Sequence, residues 1–274
     1  MFELKAASPI SYIKQLSPTH RYGKVVEETI ECSHHNPVSL DRNSLKILSW
    51  NVAKNNHDRA WSRDFLAVIQ QHQPDKIFLQ EVRLCAIKQQ IPELISMGWS
   101  FAPNLIDTWD NSYSGVLTAT KSDRLSSKAK ITQHREPITD TPKVSLFVEH
   151  SWSDETLLTI NTHLINFVET SKFKAQLAEI EAIISQHQGA IILSGDFNTW
   201  NQPRWLILSQ MTAKLGLTPV NFPLSEAQKI KRFMLSPPLD YIFYRGFKQN
   251  TASAMVIDTL SSSDHNPLLV ELCT

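Results

Sequence analysis

The chemistry of this 274-residue chain concentrates in five residues, Ser194-Gly195-Asp196-Phe197-Asn198. They follow the apolar run Ala190-Ile191-Ile192-Leu193, which reads as a central strand ending at a sheet edge. A carboxylate and an amide two residues apart then project to one side of that strand end, where open sheets place their chemistry. Six other polar residues also follow or close apolar runs: Asn51, Glu81, His163, Asp240, Asp264 and His265. Charges beside a core carry a desolvation cost unless they are paired or bound to a metal. Any one of these alone is ordinarily a turn or cap residue. The constellation is what points to a site.

The elements that must position these residues can be read from periodicity. Leu45 to Val52 alternates as a strand, Ala60 to Gln71 carries Trp61, Phe65, Val68 and Ile69 at helical spacing, and Pro74 ends that run. Asp75 to Val82 is the next strand, so a βαβ unit delivers Asn51 and Glu81 at strand ends. A helix is expected from about Leu84 to Met97, capped by Gly98. Strands are expected at 114–121, 144–149 and 157–161, the last running into His163. A helix follows over 172–187, with Gly189 as its cap, and another over 204–215 closed by Gly216. Strands at 239–244, 252–257 and 267–272 finish the chain. Strands and helices alternate twice with β-rich stretches between, which predicts a four-layer α/β sandwich: two packed mixed sheets flanked by helices. One domain over 45–274 is expected, preceded by an irregular arm, 1–44, packed on it.

Composition sets limits on function. Hydrophobic residues make up 42% and charged residues 20%, so a packed core is expected. Lys plus Arg balance Asp plus Glu at 27 each, which gives no bulk electrostatic case for nucleic-acid or membrane binding but leaves a local basic patch open. The three cysteines, Cys32, Cys85 and Cys273, have no metal-binding spacing and read as small buried hydrophobes in a reduced compartment. Cys32-Ser33-His34-His35 lacks further ligands at metal spacing and reads as structural. With neither a secretory pattern nor a run of about 20 apolar residues, a cytoplasmic protein without membrane insertion or an obligate protein partner is expected.

Six segments, taken in order, resemble one family. Ser49-Trp50-Asn51, Leu79-Gln80-Glu81, Asn161-Thr162-His163, Gly195-Asp196-Phe197-Asn198, Leu239-Asp240-Tyr241 and Ser263-Asp264-His265-Asn266-Pro267 look like the motif set of the endonuclease/exonuclease/phosphatase superfamily. That group includes DNase I-like nucleases, abasic-site endonucleases, sphingomyelinases, inositol polyphosphate 5-phosphatases and deadenylases. The match covers Leu45 to Leu272, and segments 238–246 and 263–271 look like a small bacterial branch whose substrate is unassigned.

The resemblance implies a DNase I-like fold and hydrolysis of phosphate esters with Mg²⁺, for which Mn²⁺ can substitute. Hard cations take oxygen ligands, which suits Glu81, with Asn51 and Asp264 binding directly or through water. By the same resemblance Asp196 orients and deprotonates the attacking water, and Asn198 donates its amide to a phosphoryl oxygen. His265 contacts the phosphate while held by Asp240, and His163 contacts the phosphate or aids the leaving group. Val52-Ala53 departs from the abasic-site endonucleases, which carry an acidic residue two places after the Asn.

The segment between Asn198 and Asp240 reads as a substrate lip. It holds Trp200, Arg204, Trp205 and Lys229-Ile230-Lys231-Arg232-Phe233, a mixture that can grip a nucleic-acid strand. The plainer reading is a solvated basic turn beside a core Phe. A nuclease or phosphodiesterase acting on nucleic acid is the leading expectation. A phosphatase or phosphodiesterase for a small or lipid-linked phosphate comes next, and a non-catalytic binding protein on the same fold is third.

Overall fold

Side chains of β3 (Leu45–Asn51) are buried on both faces, and each face meets a different layer. Leu45 and Ile47 enter a core shared with Ile192 and Ile242 of a second sheet. Leu48 and Trp50 instead meet Trp61 and Phe65 of the helix α1 (Arg59–His72). Burial on both sides explains why such strands read as nearly continuous apolar runs. The second sheet repeats this arrangement: Ile192 faces the shared core, while Ile191 and Leu193 pack on Phe173 and Leu177 of α2 (Thr170–Ile184) and Leu208 of α3 (Gln202–Lys214). The result is the expected four-layer sandwich. The computed structural model describes residues 21–33, 37–152 and 155–274.

Strands are numbered along the chain. The first sheet runs β1 (Tyr22–Gly23), β5 (Gly98–Asp107), β6 (Ser112–Thr120), β4 (Lys76–Cys85), β3, β14 (Leu268–Cys273), β13 (Lys248–Val256), with β2 (Ile30–Cys32) also on β5. The second runs β11 (Thr218–Pro219), β12 (Asp240–Arg245), β10 (Ala190–Asp196), β9 (Glu155–His163), β8 (Pro142–Trp152), β7 (Arg124–Arg135). Two neighbouring pairs are parallel, β3 with β4 and β9 with β10, and each is joined through a crossover helix. Every other pairing is antiparallel among the described residues.

Strand parity carries the polar residues to one end of the inter-sheet space. Asn51 is in phase with Leu45 and Ile47, Asp196 with Ile192, and Asp240 with Ile242 and Tyr244, all of which face the shared core. Asp196 lies opposite His163 on one neighbouring strand and Asp240 on the other. Gly195 permits that closeness: its φ is +151°, and a Cβ there would stand 1.9 Å from the Thr162 carbonyl oxygen.

Several expectations need correction. No α-helix forms over 84–97: β4 continues to Cys85, a 3₁₀ turn occupies Pro92–Leu94, and Gly98 opens β5. Leu84, Ile91 and Leu94 mimic helical spacing, but each is buried from a different local structure. Strands β5 and β7 were not anticipated. Pro103 lies at a register shift of β5, and β7 is a largely polar, mostly half-buried edge strand with no apolar pattern. The cap of α2 is Ser185 rather than Gly189, whereas Gly216 follows α3 in the left-handed conformation as expected. Cys32 and Cys85 are exposed and Cys273 is half-buried, so they are not core hydrophobes. His34 and His35 lie outside the described residues, as does most of the arm; its described part adds β1 and β2 to the edge of the first sheet.

Candidate active site

Asp196 is the hub of the site. The Asn51 amide donates to its Oδ2 at 3.0 Å and the Asn198 backbone N–H to its Oδ1 at 3.0 Å, which fixes the carboxylate plane. The Oδ2 atom also lies 3.6 Å from His163 Nε2 and 3.9 Å from His265 Nε2. Burial raises the Asp196 carboxyl above the usual range; His163 opposes this and nearby Asp240 reinforces it. A carboxylate with a raised pKa, held in place, is equipped to accept a proton.

The two histidines differ. Burial pulls His265 down, but the Asp240 charge and its 2.8 Å hydrogen bond to Nδ1, with Asp196 and Asp264 adding, lift the imidazole to about 10. Burial, and then the Lys143 charge, hold His163 well below the usual imidazole range. One ring is therefore cationic and the other neutral at neutral pH. His265 sits on the loop before β14, and two hydrogen bonds tie that loop to β3: Trp50 Nε1 donates to the His265 carbonyl at 2.8 Å, and Ser263 Oγ to the Asn51 carbonyl at 2.6 Å.

Glu81 reaches the site through a defect in β4. Strict alternation would turn it toward α1, since Ile77 and Leu79 pack there. The register with β6 shifts between Leu79 and Val82, and Glu81 takes a φ of +53°. The extra residue is a bulge that redirects the side chain. Glu81 Oε1 stands 3.8 Å from His163 Nε2. Its carboxylate is only 27% exposed yet accepts no hydrogen bond among the described residues. A half-buried carboxylate left without donors, 3.8 Å from His163, fits a hard divalent cation.

Asp196, Asp240 and His265 also bring ligand atoms within 4.8 Å of one another. There His265 Nδ1 is bonded to Asp240 Oδ2, while Asp240 Oδ1 is buried without a hydrogen-bond partner among the described residues, so this group too keeps a free oxygen ligand. Asp264 is not drawn into this group: its side chain is 64% exposed and accepts from Lys231 Nζ at 3.1 Å. Asn198 uses its amide on the Leu164 carbonyl at 2.8 Å, which leaves its second N–H for a ligand.

Arg204, expected on a substrate lip, is completely buried. Its guanidinium donates to the carbonyls of Ile165, Val168 and Asn198 at 2.9–3.1 Å, and its centre lies 4.6 Å from the Phe173 ring and 4.9 Å from that of Trp200. Burial lowers its pKa to about 10, with Glu136 opposing. It ties the turn after His163 to the turn after Asp196. Nothing in the sequence separates it from a surface Arg. Trp205 stacks on Tyr241, 5.1 Å between ring centroids. A second unanticipated link is Gln80, whose amide donates to Asn161 Oδ1 at 2.8 Å and bridges the sheets behind the site. The expected basic turn is partly neutralised: Lys229 pairs with Glu226 and Asp258, and Lys231 with Asp264. Phe233 is not a core residue, since it is 46% exposed.

Comparison with known proteins agrees with this geometry. The family model described as the endonuclease/exonuclease/phosphatase family matches residues 48–265. The UPF0294 protein of Vibrio parahaemolyticus is 30% identical over 255 residues, covering 90% of this chain and 85% of that protein. A UPF0294 protein of Klebsiella pneumoniae is 32% identical, covering 86% and 84%. Among solved structures, an endonuclease/exonuclease/phosphatase from Beutenbergia cavernae gives a TM-score of 0.65 at 16% identity, covering 85% of this chain and 72% of that one. The D. rerio TDP2 complexed with single-strand DNA product gives 0.60 at 17%, covering 84% and 99%. The human Nocturnin catalytic domain with bound sulfate gives 0.60 at 18%, covering 90% and 97%. The sandwich is thus DNase I-like, and the chain belongs to the endonuclease/exonuclease/phosphatase family, whose members hydrolyse phosphate esters.

Proposed function

We propose that this chain is a Mg²⁺- or Mn²⁺-dependent phosphodiesterase that cleaves nucleic acid. The observation that carries the hydrolytic reading is the placement of one immobilised, raised-pKa carboxylate, Asp196, between a neutral and a cationic imidazole. Glu81 and Asn51 would hold the cation. A cation there supplies charge neutralisation for the phosphoryl oxygens. Asp196 accepts the proton of the attacking water as its oxygen bonds to phosphorus. The Nε2–H of His265, held cationic by Asp240, donates to a phosphoryl oxygen. The second amide hydrogen of Asn198 serves a neighbouring oxygen. His163, neutral, hydrogen-bonds through a ring N–H to the ester oxygen as the P–O bond breaks, and the leaving alkoxide takes its proton from solvent water. The nucleic-acid assignment draws support from the DNA product in the structurally similar TDP2.

One observation favours the second reading, a lipid-linked or small phosphate ester. Met234 and Leu235 are 93% and 101% exposed on the loop whose Lys231 pairs with Asp264. Such residues suit an apolar surface better than a stack of bases.

Metal-dependent cleavage of bis(p-nitrophenyl) phosphate is the expected result, abolished by chelation and restored by Mg²⁺ or Mn²⁺. Activity that survives chelation would sink the proposal. Single-stranded DNA, duplex DNA, RNA and phosphorylated small molecules tested side by side then assign the substrate. Polynucleotide affinity should fall with salt, and salt-independent binding would exclude the nucleic-acid reading.

A further inference from the structure

Between His163 and α2 the chain makes a turn that is braced from several sides. The Ile165 N–H donates to the buried Gln176 side chain of α2 at 2.8 Å, and the Ile165 and Val168 carbonyls accept from the Arg204 guanidinium at 2.9 Å each. The Asn166 N–H donates to Glu136 Oε1 at 3.0 Å, and the Asn166 side chain accepts from the Phe167 N–H at 2.9 Å. The turn is thereby pinned to α2, to α3 and to the hairpin between β7 and β8.

Phe167 stands at the centre of these braces. Its φ is +51°, and among the described residues it is the only aromatic in the left-handed region. A side chain with a Cβ is strained there, and such strain persists only where the surroundings impose it. Packing does not account for it. The Phe167 side chain is 61% exposed and joins no apolar core among the described residues. A pinned, strained backbone thus holds a large ring out in solvent.

That ring stands at the mouth of the active site. It follows His163 by one short turn, and the Leu164 carbonyl between them accepts from the Asn198 amide. Asn166 shares the Glu136 carboxylate with Lys143, 3.3 Å away, and Lys143 lines the cleft that opens on Glu81 and His163. The Met234–Leu235 tip offers flexible apolar side chains to a surface of no set shape. A planar ring fixed in place offers a face instead, and every nucleobase has a matching one.

We propose that Phe167 is a stacking platform for an unpaired nucleobase beside the phosphate being cleaved. This deepens the nucleic-acid reading and rests on it. Intact duplex keeps its base faces stacked on one another, so the substrate class is single-stranded nucleic acid or an unpaired strand end. Stacking reads no hydrogen-bonding edge, and the platform accepts any base.

The test uses three dinucleotides, none with an aryl leaving group to compete for the ring. They are thymidylyl-thymidine and the two forms in which a tetrahydrofuran sugar without a base replaces one thymidine or the other. Loss of one of the two bases should raise KM about tenfold, the usual order for one base on an aromatic face, and loss of the other should matter within about twofold. Phe167→Ala should raise KM on the intact dinucleotide by the same factor and change nothing further on the form lacking the sensitive base, the loss falling on KM rather than kcat. Phe167→Trp keeps an aromatic face and should retain the original KM. Phe167→Leu keeps apolar bulk without the face and should behave as Phe167→Ala. Equal losses on all three substrates, no loss in Phe167→Ala, or an unaltered KM in Phe167→Leu, as contact with a lipid chain would give, overturns the platform. If no dinucleotide is cleaved, calorimetry with Mn²⁺ present decides. Tighter binding of thymidylyl-thymidine than of its doubly abasic analogue, lost in Phe167→Ala, upholds the platform, and equal binding rejects it. The hydrolytic reading stands or falls separately, on metal-dependent turnover of bis(p-nitrophenyl) phosphate.

Discussion

The two ends of the inter-sheet space bury ionisable groups in opposite ways. At one end, Asp196, Asp240, His163 and His265 surround one another, so each charge has a charged or strongly polar neighbour. At the other end, Lys76, the first residue of β4, is fully buried, and its amine has only the Thr120 hydroxyl at 3.3 Å. His150 lies nearby on β8, its Nε2 3.0 Å from Thr159 Oγ1. Burial drives Lys76 well below the usual lysine range, with only Asp75 opposing, and drives His150 well below the usual imidazole range, with Lys76 adding to the effect. The same sheets thus sustain an imidazolium, His265, at the cleft and suppress the charge of Lys76 and His150 at the far end. The difference lies in the partners: a carboxylate can hold an imidazolium in low dielectric, whereas a hydroxyl cannot hold a buried ammonium.

The sharpest way to break the comparison is to remove the charge at the hub. Asp196→Asn keeps the side-chain shape and removes the proton acceptor. Turnover should fall by about 10²–10⁴-fold, the usual contribution of a general base, with much less change in substrate affinity. Equal losses in kcat and affinity, read from steady-state kinetics with bis(p-nitrophenyl) phosphate, would mean that Asp196 binds rather than reacts.

How much of this was legible follows from the same residues. Asp196, Asn51, His163 and Asp240 stand at strand ends in phase with apolar neighbours, so parity alone delivered them to one place. Glu81 was singled out as a strand end, but it lies at a bulge six residues into a ten-residue strand, and no alternation pattern encodes the φ of +53° that turns it. Asp264 shares a motif with His265, yet one faces solvent and Lys231 while the other faces Asp240. Adjacent residues on a loop need not share a direction. Lys76 and Arg204 were opaque for one reason: a long cationic side chain is ordinarily solvated, and only tertiary packing buries it. The far polar cluster therefore left no trace in the sequence.

Lys76→Met tests that far end at intermediate cost. Met retains the length of the stem and removes the amine. Because folding favours the neutral amine, the native state at pH 7 bears a penalty that the substitution relieves. Stability should rise by about 1–3 kcal/mol in urea unfolding, with kcat and KM unchanged. A loss of stability would show that the Thr120 contact outweighs the desolvation.

The remaining effects are in the pH dependence, where the two ends have opposite signs. The folded pKa of His265, about 10, lies above the ordinary 6.5. Its stabilisation is therefore complete below about 6.5 and is lost as pH rises through 10. The folded pKa of His150 is depressed, so its contribution is present above about 6.5 and is lost as pH falls. Each group changes stability by at most about 1.4 kcal/mol per pH unit. Lys76 also titrates on the alkaline side, in the sense opposite to His265, so both limbs are best measured in the Lys76→Met background. There His265→Gln should flatten the alkaline limb alone and His150→Gln the acid limb alone. If His150→Gln also moved the pH–rate profile, the two ends would be coupled through the sheets, and the contrast between them would describe one network instead of two.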